Sequence, residues 1–167
     1  MNIYYRSATL EDAAALANVE IRSIQHAYQD FMPAAHLENL DVLDLTERWK
    51  GGLRDMIDPV VVAVHDQLVI GFVRAGKSNK ENVGFITYLF ILPEYWGIGI
   101  GKALMGKATD IFRDLHLNAA KLYAYSDNLR ARRFYERLGW TLSGQTYTQD
   151  IEGIKLEMVC YQQTVEG

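Results

Sequence analysis

The run Leu89-Phe90-Ile91-Leu92-Pro93-Glu94-Tyr95-Trp96-Gly97-Ile98-Gly99-Ile100-Gly101-Lys102-Ala103-Leu104 carries an apolar strand into a turn with glycine at every second position and then into a helix. Pro93 ends the strand. Ile100, Ala103, Leu104, Ala108, Ile111, Phe112 and Leu115 then recur at helical spacing. Glycine lets a backbone turn tightly and approach a ligand closely. The first turn of a helix presents unpaired N–H groups and the positive end of the helix dipole. Together they favour a phosphate or diphosphate, and a plain strand-to-helix turn would need fewer glycines. Two familiar phosphate loops do not fit. A G-x-G-x-x-G reading from Gly97 puts Lys102 at the third glycine, and from Gly99 it puts Leu104 there. A G-x-x-x-x-G-K-[ST] reading from Gly101 to Lys107 ends on Ala108, which has no hydroxyl for Mg²⁺, and falls inside the helical stripe.

Working outward, Val83–Leu92 is apolar on both faces, as in a central strand. Before it, Val60–His65 and Leu68–Ala75 read as a hairpin closed by Asp66-Gln67. Further upstream, Ile3–Ala8 reads as a strand and Thr9-x-x-Asp12 as a helix start. Leu10, Ala13, Ala14, Ala17, Ile21, Ile24 and Tyr28 follow at helical spacing, and Pro33 separates them from a second helical stretch over Ala34–Met56. Downstream come a strand at Lys121–Tyr125, a helix through Ala131, Phe134, Tyr135 and Leu138 stopped by Gly139, and strands at Thr141–Tyr147 and Ile154–Tyr161. The order is β-α-α-β-β-β-α-β-α-β-β. Antiparallel hairpins flank one β-α-β crossover, so the expected class is α/β with a mixed sheet.

The chain has 167 residues, which suits one domain over 1–167 able to bury its own core. Hydrophobic residues make up 49% and charged residues 23%, with three prolines, which excludes a disordered or collagen-like chain. No run of about 18 apolar residues is present, so no membrane span is expected, and Met1–Arg6 lacks the apolar stretch of a secretory signal. A formal net charge of -4 argues against broad nucleic-acid binding. Cys160 is the one cysteine. It excludes an internal disulfide, reads as a buried structural thiol and fits the cytoplasm.

A second motif follows the glycine turn: Asp127-Asn128-Leu129-Arg130-Ala131-Arg132-Arg133-Phe134-Tyr135-Glu136-Arg137-Leu138-Gly139-Trp140. It resembles the N-x-x-A-x-x-F-Y-x-x-x-G-F segment of the GNAT (GCN5-related) N-acetyltransferase superfamily, with Trp140 in place of Phe. Trp96-Gly97-Ile98-Gly99-Ile100-Gly101 resembles the superfamily's Gln/Arg-x-x-Gly-x-Gly/Ala loop, with Trp96 in place of Gln or Arg. The resemblance covers nearly the whole chain. It implies a mixed, mostly antiparallel sheet of about seven strands flanked by about four helices. It also implies acetyl transfer from acetyl-CoA, without a metal, to a primary amine that attacks directly in a ternary complex.

The same resemblance assigns roles residue by residue. Main-chain groups of Leu89, Phe90 and Ile91 would pair with the pantetheine arm and supply an oxyanion donor. The amides from Gly97 through Ile98, Gly99, Ile100 and Gly101 to Lys102 would hold the diphosphate. Asn128 would contact the cofactor or cap the following helix, and Ala131 would let the cofactor lie close. Tyr135 would be the general acid for the departing thiolate, with Phe134 filling the core. Lys102, Arg130, Arg132 and Arg133 read equally as phosphate partners or solvated charges. Phe85-Ile86-Thr87-Tyr88 holds no carboxylate, so the base stays open among Glu20, His26, Tyr28, Glu81, Tyr88 and an ordered water chain. Ala27–Pro33 and Glu47-Arg48-Trp49 resemble the branch that acetylates polyamines. Protein N-termini, aminoglycosides and amino acids stay open as acceptors, as do a non-catalytic acyl-CoA-binding module and a homodimer.

Overall fold

A computed structural model describes residues 1–55 and 57–167. Strand β1 (Ile3–Ser7) leads through a 3-10 turn at Leu10–Asp12 into helix α1 (Ala13–Ala27). Asp12 organises this start. Its carboxylate accepts from the Thr9 backbone N–H at 2.7 Å and pairs with Arg6 at 2.7 Å. The Arg6 hydrogen bond holds the Asp12 carboxyl below the usual range.

The helical stretch expected over Ala34–Met56 is broken in two, α2 (Ala34–Glu38) and α3 (Val42–Asp55). Met56, where the sequence reading ends that stretch, lies outside the described residues. The break follows from a cap. Asp41 Oδ1 accepts from the backbone N–H of Leu43 at 2.8 Å and of Asp44 at 3.3 Å, which starts a new helix there. The described helices therefore number five rather than about four.

Strands β2 (Val60–His65) and β3 (Leu68–Lys77) form the expected hairpin, with Asp66 and Gln67 at φ 47° and 67°. Then come β4 (Gly84–Ile91), α4 (Ile100–Asp114), β5 (Ala119–Tyr125), α5 (Leu129–Arg137), β6 (Thr141–Ile151) and β7 (Ile154–Thr164). The seven strands lie in the order β1-β2-β3-β4-β5-β7-β6. Only β4 and β5 run parallel, joined by the α4 crossover. This is the mixed, mostly antiparallel α/β sheet expected from the sequence.

Strand pleating decides what each face carries. Tyr88 and Phe90 of β4 lie on the side of Trp49 from α3, with Tyr88 stacked on Phe90 at 5.8 Å and Trp49 edge-on to Phe72 at 5.2 Å. Ile91 lies on the other side, with α4 and α5. The core is continuous through the sheet, with Leu16, Val62, Phe72, Leu104, Phe112, Leu122 and Tyr161 all fully buried. Each such side chain contributes about 1.5–3 kcal/mol by leaving water.

Between the fourth and fifth strands the ladder stops early. β4 and β5 pair only at Gly84↔Ala120, Phe85↔Lys121 and Ile86↔Leu122. Beyond that point β4 stays paired with β3, and β5 with β7, so the two strands part into a wedge. A register shift in the β3–β4 ladder falls where the wedge begins, opposite Thr87.

Glu20 is a buried acid on this core's edge. It is 5% exposed and accepts from Trp49 Nε1 at 3.2 Å. Desolvation raises its pKa, against the pull of that hydrogen bond and of Arg48 and Arg74. A carboxyl raised by burial makes its ionised form a load on the fold at neutral pH. Glu20→Gln keeps an acceptor for Trp49 and removes the charge. We expect a higher Tm at pH 7, by about 2–4 °C per kcal/mol recovered. The gain should shrink as pH falls through the raised value of the folded-state carboxyl and be gone at the ordinary carboxyl value. Thermal melts at pH 7 and pH 4 check both parts.

Candidate active site

The glycine turn forms a cradle because two of its residues adopt a backbone that only glycine takes easily. Gly97 and Gly99 have φ of 81° and 93°, and Gly99 caps α4. A Cβ at either would meet open space, so the constraint there is conformational. Gly101 differs. Its Cβ would come within 3.0 Å of the Phe134 ring and 3.4 Å of Ile91 Cδ1. Gly101 thus lets the first turn of α4 lie against α5 and the end of β4.

Trp96 locks the turn in place. Its indole Nε1 donates to the Ile91 carbonyl at 2.8 Å, its ring lies edge-on to His26 at 5.0 Å, and the Arg130 guanidinium sits 4.0 Å above it. A stacked cation at such a site is worth about 0.5–1 kcal/mol. Trp96→Gln keeps a side-chain donor but loses the stack. We expect acetyl-CoA affinity to fall no more than a few-fold, measured by calorimetry.

Opposite the cradle, the unpaired side of β4 faces the wedge. The Leu92 N–H donates to Ile70 on β3, so by alternation the main-chain groups of Leu89 and Ile91 point away from β3 and into the wedge. Ser23 Oγ also donates to the Ile91 carbonyl, at 3.0 Å. Ser23 is a small polar residue on the buried face of α1, one turn from Glu20, and its position in an otherwise apolar stripe was a signal in the sequence.

Helix α5 forms the remaining wall. Asn128 Oδ1 accepts from the Ala131 N–H at 3.3 Å and so caps the helix, leaving its amide NH2 as a donor on the same residue. Tyr135 is partly buried, and desolvation pushes its phenol up to about 12. Its ring packs on Phe134 at 5.4 Å and Tyr161 at 6.0 Å. Arg132 turns away: it donates to the Tyr161 hydroxyl and to the Ser126 carbonyl, each at 3.0 Å.

These parts enclose one cavity of about 880 Å³. It brings together Leu89, Phe90, Ile91, Gly97, Gly99, Ile100, Gly101, Lys102, Asn128, Ala131 and Tyr135. Ile98 is the exception among the expected residues: it is 53% exposed and outside the wall. Lys102, Arg130, Arg133 and Arg137 line the cavity, and among the described residues no Asp or Glu does. On a chain of net charge -4 this is a local excess of positive charge. It adds to the dipole of α4 and suits a polyanion.

Of the residues weighed as a base, only Tyr28 lines the cavity. Burial pushes its phenol above the ordinary range, with help from Tyr125, Tyr135, Glu20 and Tyr88, so it stays protonated at neutral pH. Glu81 pairs with Lys121 at 2.8 Å on the surface, and His26 packs on the outer side of Trp96. Tyr123, Tyr125 and Met158 also line the cavity and were not singled out in the sequence. Two tyrosines at period two on a strand were the available signal. Among the described residues no cluster of metal-ligating side chains is present, and no helix is long and apolar enough to cross a membrane.

Known proteins share this architecture. The PaiA N-acetyltransferase of Thermoplasma acidophilum, solved with coenzyme A, aligns over 98% of this chain and 99% of its own, with a TM-score of 0.75 at 21% identity. YncA of Salmonella typhimurium, solved with acetyl-CoA, aligns over 100% and 96%, with a TM-score of 0.75 at 18% identity. An uncharacterized N-acetyltransferase of Archaeoglobus fulgidus is 40% identical over 83 residues, which is 47% of this chain and 56% of that protein. This chain therefore spans little more than half of that relative's length. A mycothiol acetyltransferase of an Arthrobacter species is 31% identical over 84% of this chain and 48% of its own. The profile of the acetyltransferase (GNAT) family matches residues 21–140, from α1 through the wedge and the glycine cradle to the end of the α5 motif, and the chain belongs to that family.

Proposed function

We propose that this protein transfers the acetyl group of acetyl-CoA to a primary amine of a small molecule, within a ternary complex. The observation that carries the reading is the single cavity in which a strand edge, a helix N-terminus flanked by glycines and four cationic side chains meet, with no carboxylate on its described wall. The diphosphate takes the amides from Gly97 to Lys102, with Lys102, Arg130 and Arg133 as counter-charges. The pantetheine arm runs along β4, beside Phe90, and pairs with the wedge-facing groups of Leu89 and with the Ile91 N–H, since the Ile91 carbonyl is taken by Trp96 and Ser23. Asn128 and Ala131 border the same path.

The chemistry balances without an added base once the amine is neutral. Its nitrogen attacks the thioester carbonyl, the oxyanion accepts a main-chain N–H of the Leu89–Ile91 edge, and the C–S bond breaks. The nitrogen loses one proton and the sulfur gains one. In this reading Tyr135 relays it. A phenol near 12 is a weaker acid than a thiol near 8.5, so it gives its proton to sulfur only as it takes one from nitrogen.

The Ala27–Pro33 and Glu47–Trp49 stretches support a polyamine as one acceptor, and the carboxylate-free wall weighs against it. The same absence supports a second reading, a non-catalytic acyl-CoA-binding module. A thiol-release assay with acetyl-CoA and an amine panel decides. Release with at least one amine supports transfer. Saturable binding of acetyl-CoA with no release supports the module. The uncharged run Thr141–Gln149 on edge strand β6 supports a homodimer, and the fully buried Cys160 is compatible with a reducing cytoplasm.

A further inference from the structure

The cavity passes through the sheet. Its cradle end lies with α4 and α5, where Gly101, Phe134 and Ile91 meet. Its other end lies on the opposite face, because Tyr125 of β5, on its wall, packs against Tyr28 at 5.1 Å and Phe31 at 5.5 Å, both at the end of α1 and beyond it. Alternation along β5 puts Tyr123 on the same face as Tyr125. Tyr123 is edge-on to Tyr147 of β6 at 4.9 Å. Ala27 and Met158 complete this arm of the wall.

The arm is uncharged and aromatic. Tyr125 is held by its hydroxyl, which donates to Gln149 Oε1 at 2.6 Å, and its ring edge is held by Tyr28. Glu20, the nearest carboxyl to Tyr28 and Tyr88 in its effect on them, is buried on Trp49 and outside the cavity wall. A polycation entering here would bring second and third ammonium groups with no carboxylate to meet them. An amine on an aromatic or apolar body would stack its body on these rings and bring its nitrogen toward the wedge.

We propose that this arm is the acceptor subsite and that it selects a small monoamine borne on an aromatic or apolar body, with Tyr28, Tyr123, Tyr125 and Met158 as its specificity-determining residues. The proposal rests on the acetyl-transfer reading, which places the thioester at the wedge between the two arms.

The test is acetylation by the 167-residue chain with 2-phenylethylamine, spermidine, kanamycin and a peptide with N-terminal phenylalanine, after acetyl-CoA binding has been measured by calorimetry. The expected result is kcat/KM for 2-phenylethylamine at least about 100-fold above spermidine and kanamycin. Tyr125→Asp places a carboxylate on the wall and should move the phenylethylamine-to-spermidine ratio by about tenfold or more toward spermidine. If Tyr125→Asp fails to fold, the wild-type ratio still decides. Equal or better turnover of spermidine or kanamycin, turnover of the peptide alone, or binding of acetyl-CoA with no amine used overturns the acceptor proposal and leaves acetyl-CoA binding intact. Absence of acetyl-CoA binding overturns both.

Discussion

Gly101→Glu is expected to abolish acetyl-CoA binding, with affinity falling by about 100-fold or more, equivalent to roughly 2.7 kcal/mol. Two effects add. The first carbon of the new side chain would stand 3.0 Å from the Phe134 ring, so α5 or the first turn of α4 must shift. The carboxylate would then sit in the first turn of α4, where the diphosphate is proposed to bind, and repel it. Calorimetric titration with acetyl-CoA gives the affinity, and a thermal melt reports whether the helix contact still forms. Gly101→Ala separates the terms: it brings the steric contact without the charge and should cost far less affinity. Wild-type affinity in the glutamate variant would place the diphosphate elsewhere.

Tyr135→Phe is expected to lower kcat by about 10²–10⁴-fold, the range for a positioned proton donor, with acetyl-CoA affinity nearly unchanged. The substitution removes one oxygen and keeps the ring on Phe134 and Tyr161, so stability should hold. With the phenol at about 12, Tyr135 stays protonated across assay conditions. No alkaline loss of activity from its ionisation should appear below about pH 11, one unit under that value. The rate should instead rise with pH as the acceptor loses its own proton, toward the pKa of that amine, near 10.4 for a lysine-like one. Kinetics from pH 6 to pH 10 with two amines of different basicity check this. Unaltered turnover in the phenylalanine variant removes Tyr135 from the proton path. An activity limb near pH 10 that disappears in the variant would show an ordinary phenol rather than a buried one.

The elements with the strongest local signals are legible in the residues themselves. The strand read as ending at Leu92, the helix starting at Ile100 and the α5 helix through Tyr135 each combine periodicity with a stop signal, and each is found there, the strand one residue shorter at either end. The split of the second helical stretch is written in Asp41, a capping residue, but apolar periodicity continues across it and hides it. In the sequence Arg132 reads, like Arg130 and Arg133, equally as a phosphate partner or a solvated charge. Only the packing of α5 on β7 shows that its guanidinium is held by Tyr161 and Ser126.

What the chain order alone determined is the α/β crossover and the glycine cradle, because both depend on residues adjacent in sequence: backbone freedom at Gly97 and Gly99, and the helix that begins at the next residue. What only the tertiary structure decided is the composition of the cavity wall. The parting of β4 from β5 brings Tyr28, Tyr125 and Met158 beside Tyr135 from four separate elements and leaves Glu20 outside. Such encounters depend on how far two strands stay paired, which no local pattern encodes.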